Sequence, residues 1–155
     1  MKQLILKPGR EKSLLRRHPW VFSGAVARLD GNPETGDTVS VRAAGGDFLA
    51  WAAYSPVSQI RARVWSWHET DRVDDDFLRA RLRRALDARA RLIVAEASDA
   101  LRIVHGESDG LPGVIADRYG EVLVLQLLSA GAERWRTELA DGVRELTGCT
   151  CVYER

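Results

Sequence analysis

The sequence is poor in the residues on which several protein classes depend. It holds two cysteines, Cys149 and Cys151, one methionine, three histidines and three lysines in 155 residues. Two cysteines near one end cannot frame a small disulfide-stapled secreted domain. No apolar run approaches the ~18 residues that a membrane-spanning helix needs, and the apolar stretch after Met1 is too short for a signal peptide. These scarcities read as a soluble, cytoplasmic protein. No Gly-Lys-Ser/Thr follows the glycines at 106, 110 and 113, so there is no P-loop. No glycine-rich strand–turn–helix unit suggests a dinucleotide or S-adenosylmethionine cradle. Metal-ligand spacing is also missing: Cys149-x-Cys151 has no second pair nearby and reads as packing thiols. Asp74-Asp75-Asp76 reads as a helix start, because three consecutive side chains diverge and the helix dipole favours negative charge there.

Net charge is scarce as well, at +1, but its distribution is uneven. Residues 1–73 carry 11 basic and 7 acidic side chains, whereas residues 74–155 carry 12 and 15. The tightest basic run is Lys7, Arg10, Lys12, Arg16 and Arg17, with Glu11 alone among them, followed by His18 and Trp20. A local basic patch attracts phosphate even on a neutral chain. The competing reading is a solvated helix face.

What is present is 45% hydrophobic residues in two different periods. Up to residue 70 the pattern predicts short strands at Gln3–Leu6, Thr38–Arg42, Phe48–Tyr54 and Gln59–Trp67, with one or two helical turns over Arg10–Arg17 that stop before Pro19. In the last strand Ile60, Ala62 and Val64 point one way; Arg61, Arg63, Trp65 and Trp67 point the other. That second face offers cations and rings, the combination that holds phosphate and stacked bases. Turn formers fill 31–37. Several short strands and one early helix suggest a small, partly closed β-barrel.

The period changes near residues 70–74. A helix of about five turns follows, with a stripe of Leu78, Leu82, Ala85, Leu86, Arg89 and Ile93 that is apolar except at Arg89; Arg79, Arg81, Arg83, Arg84 and Arg91 occupy its other faces. Then come strands at Leu101–Val104 and Gly113–Asp117, a near-continuous apolar run Val122–Leu128 expected to be a central strand buried on both faces, a helix lined by Trp135, Leu139, Val143 and Leu146 and ended by Gly148, and a last strand Thr150–Glu154. The class is α+β, with a boundary that divides the chain into 1–72 and 73–155.

Gly106-Glu107-Ser108-Asp109-Gly110 matches the nucleophile elbow G-x-S-x-G, but Leu111-Pro112-Gly113 opposes the helix that must follow, and His18, His68 and His105 all precede Ser108. It reads as an Asp-Gly turn, with hydrolysis at Ser108 a weak rival.

Lys7-Pro8-Gly9-Arg10-Glu11-Lys12-Ser13-Leu14-Leu15-Arg16-Arg17-His18-Pro19-Trp20-Val21-Phe22-Ser23-Gly24-Ala25 resembles the opening of a PUA domain, an RNA-binding β-barrel, and Ala53 to Val64 fits the same domain. His105-Gly106-Glu107-Ser108-Asp109-Gly110-Leu111-Pro112-Gly113 to Gly120, with Val124 to Glu133, resembles the segment that follows in bacterial large-subunit ribosomal RNA cytosine carbon-5 methyltransferases. The resemblance implies a PUA domain over 1–72 and a mixed α+β linking domain over 73–155, with a Rossmann-like catalytic domain beyond this chain. It implies ribosomal RNA as partner, no membrane, and S-adenosylmethionine as the parent enzyme's cofactor, with none held in this chain. The nucleophilic thiolate that cytosine carbon 5 chemistry needs lies elsewhere, since neither Cys149 nor Cys151 matches the family's catalytic position. Lys7, Arg10, Lys12, Arg16, Arg17, His18, Trp20, Arg61 and Arg63 are the expected RNA-binding residues. A protein-interaction module without RNA specificity is the rival reading, and a homodimer is left open.

Overall fold

The structure, a computed structural model, describes residues 2–95 and 99–155, and the backbone alone over 91–95. The side chains of Arg91 and Ile93 therefore lie outside the described residues. The chain divides into two compact units, Met1–Val73 and Asp74–Arg155.

The first unit is built on β1 (Gln3–Leu6), α1 (Lys12–Leu15), β2 (Trp20–Phe22), β3 (Val26–Asp30), β4 (Thr38–Arg42), β5 (Phe48–Tyr54) and β6 (Ile60–Ser66). One six-stranded mixed sheet runs in the order β2-β6-β5-β4-β1-β3, with β1 parallel to β4 and the other pairs antiparallel. Leu4, Leu6, Val21, Val39, Val41, Ala50, Ala52, Ala62 and Val64 from five strands meet Leu14 of α1 in one core. The end strands β2 and β3 do not pair with each other, so the barrel is partly closed. β3 carries no apolar alternation and is mostly exposed; its strand character comes from its ladder with β1, where Leu4 faces Leu29. That is why the apolar pattern does not reveal it.

The alternation along β6 breaks at Trp65. Trp51 pairs with Ser66 and Ala52 with Val64, which leaves Trp65 as the extra residue of a bulge. Trp65 is accordingly 2% exposed, in the core, and does not share the face of Arg61 and Arg63. In the turn at 31–37, the buried Asp37 carboxylate accepts the Lys2 ammonium and the Glu34 N–H (2.6 Å), which ties the turn to the first strand.

The second unit comprises α2 (Asp75–Ala95), β7 (Ala100–His105), β8 (Val114–Tyr119), β9 (Val122–Leu127), α3 (Ala130–Arg134), α4 (Arg136–Thr147) and β10 (Cys151–Glu154). Its sheet runs β10-β9-β8-β7, antiparallel except for β10, which lies parallel to β9. The Asp74 carboxylate accepts the Phe77 N–H (3.1 Å) and so caps α2. Gly148, at φ +68, ends α4 with its N–H on the Arg144 carbonyl (3.0 Å). Gly142 lies where α2 and α4 meet: a Cβ there would stand 2.9 Å from Leu82 Cδ1.

Val122–Leu127 is an interior strand of this sheet, but the expectation of burial on both faces is corrected. Leu123 and Leu125 are buried, while Val122 is exposed. The same outward side carries Tyr119 and Tyr153, which sit opposite Val122 and Val124 and are 55% and 62% exposed. Apolar content alone does not distinguish a strand covered on two sides from one covered on a single side. Cys149 is buried and Cys151 exposed, so the two thiols do not share a face.

Candidate nucleic-acid interface

α1 is a single turn, shorter than the basic run suggests, because its C-terminus closes at once. The His18 N–H bonds to the Ser13 carbonyl (3.0 Å) and the Arg17 N–H to the Leu14 carbonyl (2.8 Å). These two bonds form a Schellman motif. The left-handed position of that motif is usually glycine; here it is Arg17, at φ +63. A left-handed backbone costs a side-chain-bearing residue about 1 kcal/mol. Its side chain ends over the Trp67 ring, with the guanidinium carbon 5.1 Å from the ring centroid.

Around this turn the cations stand without acid. Arg10, Lys12, Arg16 and Arg17 are exposed and form no ion pair among the described residues. Lys7 donates to the Gly24 carbonyl at 3.0 Å. His18 accepts the Trp20 N–H on Nδ1 (3.3 Å), which leaves Nε2 as the donor of the neutral ring. The His18 ring meets Trp20 edge-on at 5.7 Å, and Phe22 completes the row at 6.3 Å from Trp20. Arg63, opposite Trp20 in the β2–β6 ladder, lies over its ring at 5.2 Å. Arg61, on β6, donates to the Pro56 carbonyl of the loop before that strand.

The expected residues therefore divide. Arg10, Lys12, Arg16, Arg17 and His18 share one connected surface, Trp20 and Arg63 continue it along β2 and β6, and Arg61 is engaged locally. Sequence reasoning passed over Phe22, which is 48% exposed in the ring row, and Phe48, which lies beside Trp51 at 5.5 Å. An apolar ring at alternate positions with His18 and Trp20 was the available signal for Phe22.

The other tempting motifs resolve into structure. Ser108 lies on a 3₁₀ turn over Gly106–Asp109, and among the described residues no hydrogen bond joins it to His105. Asp109 explains both the motif and the charged residue in the α2 stripe: its carboxylate takes Arg89 through two bonds of 2.8 Å and also accepts the His105 N–H (2.6 Å). The Arg89 and Asp109 side chains are 16% and 12% exposed, so the pair is desolvated and hydrogen-bonded at once. Gly113, at φ +78, runs against Ser129: a Cβ there would lie 2.4 Å from its hydroxyl oxygen and 3.0 Å from its backbone nitrogen. No cluster of His, Cys, Asp or Glu among the described residues has the geometry to hold a metal. Among the described residues no helix is long and apolar enough to cross a membrane.

S-Adenosylmethionine finds no cradle among the described residues. The crossover from β9 to β10 enters α3 through Leu128-Ser129, with no glycine between strand and helix, and the Ser129 hydroxyl already accepts the Ala132 N–H (3.2 Å).

Three arginines of the second unit sit close enough to carboxylates for the guanidinium pKa to rise above its ordinary value. Glu145 and Asp75 act on Arg79, Asp117 on Arg102, and Glu133 on Arg136, each chiefly through hydrogen bonds to the carboxylate. These arginines are held by partners on the protein itself.

The partly closed sheet with its basic turn defines the class of the first unit: residues 4–67 match the family described as a PUA-like domain. Over 99% of its length the chain is similar to proteins named ribosomal RNA large subunit methyltransferase I. It is 53% identical over 153 residues to that of Erwinia tasmaniensis and 50% identical to that of Salmonella typhi, covering 39% and 38% of those proteins. The chain is similar to the N-terminal part of these relatives and spans under two fifths of their length. Among solved structures, a putative SAM-dependent methyltransferase from Streptococcus mutans shares the fold over 100% of this chain and 40% of its own, with a TM-score of 0.86 at 18% identity. A putative methyltransferase complexed with SAH does so with a TM-score of 0.83.

Proposed function

We propose that this chain is the RNA-binding and positioning portion of an S-adenosylmethionine-dependent methyltransferase that acts at cytosine carbon 5 of large-subunit ribosomal RNA, and that the chain is not catalytic by itself. The observation that carries the reading is the group Arg10, Lys12, Arg16 and Arg17, exposed and without an acidic partner on a PUA-like domain. Unpaired guanidinium and ammonium groups neutralise phosphate and release counterions, which is the main source of affinity for nucleic acid. Lys7, His18, Trp20 and Arg63 belong to the same proposed surface, whereas Arg61, held by the Pro56 carbonyl, stands at its edge. A base within a helix cannot reach a methyl donor and must leave its stack. A grip on the backbone at one place fixes which base is presented at another, and the Asp74–Arg155 unit is proposed to set that spacing. Cytoplasmic location follows from the ribosomal substrate and is part of the same proposal.

The test is affinity for a large-subunit rRNA fragment measured across salt concentrations. Expected is a steep salt dependence that is reduced in Arg16→Ala/Arg17→Ala. Salt-independent binding, or a double variant with unchanged affinity, would overturn the assignment.

A second reading is favoured by one observation, the outward face of the second sheet with Tyr119, Val122 and Tyr153 exposed. On that reading the chain is a protein-interaction or dimerisation module. Sedimentation with and without RNA separates the two: self-association without RNA affinity favours the module.

A further inference from the structure

Arg17, the one arginine among the described residues with a left-handed backbone, lines a cavity. Leu14, Leu15, Arg17, Phe48, Leu49 and Trp67 line a space of about 180 Å³ between α1 and the sheet, far more than a single water requires. No acidic side chain lines it. Two aromatic rings, Phe48 and Trp67, form part of its wall, and each has a guanidinium above it: Arg42 at 5.8 Å from the Phe48 ring and Arg17 at 5.1 Å from the Trp67 ring. Leu15 is left 66% exposed at the rim of an otherwise basic turn. Lys12 and Arg16, neither in an ion pair among the described residues, flank it on that turn.

Each feature is unusual for a surface that only needs to be soluble. An exposed leucine gains nothing from water, and a left-handed arginine is disfavoured where glycine would fit without strain. Backbone strain persists where the side chain it places is required. What the position places here is a planar cation, with no carboxylate of its own, against an aromatic wall.

We propose that this cavity receives one unpaired nucleobase of the bound RNA. The inference rests on the RNA-binding reading above and deepens it by naming single-stranded RNA as the form that the turn recognises. Every base has an aromatic face, so a wall of Phe48, Trp67 and the planar Arg17 guanidinium that lies over Trp67 stacks it without regard to sequence. The Arg17 guanidinium presents N–H donors to the base edge or its phosphate, and Lys12 and Arg16 meet the neighbouring phosphates. A double helix cannot use the cavity, because its bases are already stacked and paired.

The experiment uses the whole chain and three probes: a short unpaired oligoribonucleotide with 2-aminopurine at one position, the same strand with an abasic site there, and an RNA duplex. Expected is quenching of 2-aminopurine on binding, weaker affinity for the abasic strand, and about a tenfold loss for the intact strand in Trp67→Leu. Duplex affinity should change less than about twofold in that variant. Arg17→Gly, which suits the left-handed backbone and so preserves the turn, should lower single-strand affinity without lowering the thermal midpoint. If the wild type binds single strand and duplex but neither the abasic site nor Arg17→Gly weakens binding, the cavity proposal is overturned and the basic patch stands. Binding to none of the three probes overturns both. If an apolar peptide or detergent fills the cavity and RNA does not compete with it, the occupant has been misassigned.

Discussion

Both units are rich in arginine, and they use it in opposite ways. In the second unit Arg79, Arg89, Arg102, Arg136 and Arg144 are each matched to a carboxylate, and Arg89 and Arg102 are matched through two bonds. In the first unit the cations of the α1 turn have no acidic partner among the described residues, and Asp37 and Glu69 are spent elsewhere on Lys2 and Arg42. A count of charges by segment gives only the sign of each unit. Availability to an external phosphate depends on which cations already have an anion, and here that favours the turn over the helix. On α2, Arg83 and Arg84 alone retain the exposed, unpaired state that a contact with RNA would need among its described arginines.

The comparison can be broken most severely at Arg89. Arg89→Ala leaves the Asp109 carboxylate buried and unpaired, and the expected loss is about 3 kcal/mol or more of stability, read by chemical denaturation of the whole chain. Asp109→Leu combined with Arg89→Met should recover most of it, because an apolar pair removes the stranded charge. Next is Gly113→Ala, where the new Cβ meets Ser129 and the backbone is left-handed; about 2 kcal/mol of destabilisation is expected by the same measurement.

Binding sharpens the contrast at smaller cost. Arg16→Ala/Arg17→Ala should reduce the salt slope of RNA binding by about two. Arg136→Ala/Arg144→Ala removes equal charge from paired positions and should leave the slope nearly unchanged. A similar loss in both double variants would show that pairing does not decide availability. The smallest effect is internal to the turn: Arg17→Gly should exceed Arg17→Ala in stability by about 1 kcal/mol, since only glycine relieves the positive φ. Equal thermal midpoints would show that the turn relaxes without strain.

Much of the fold was legible because burial imposes period. The alternation of β4 and β6, the 3.6-residue stripe of α2 and the glycine that stops α4 are local signals of local geometry. The lone arginine in that stripe was visible as an anomaly, but its partner Asp109 lies 20 residues away, inside a motif that pointed to hydrolysis. β3 was hidden because it is held by pairing and not by apolar burial. Of the candidate interface, the basic run and the Trp20 anchor were legible. The aromatic wall was not, since Phe48 and Trp67 are brought beside α1 only by the folded sheet.

By itself the sequence determined the class of the two units and where cations are dense, because hydrophobic period and charge are properties of neighbouring residues. Only the tertiary structure decided which cations remain unpaired, that Trp65 and not Trp67 is in the core, and what stands beneath Arg17. Those outcomes depend on ladder register, a single bulge and one left-handed residue. Each joins positions far apart in the chain, and no local pattern of residues encodes their distance.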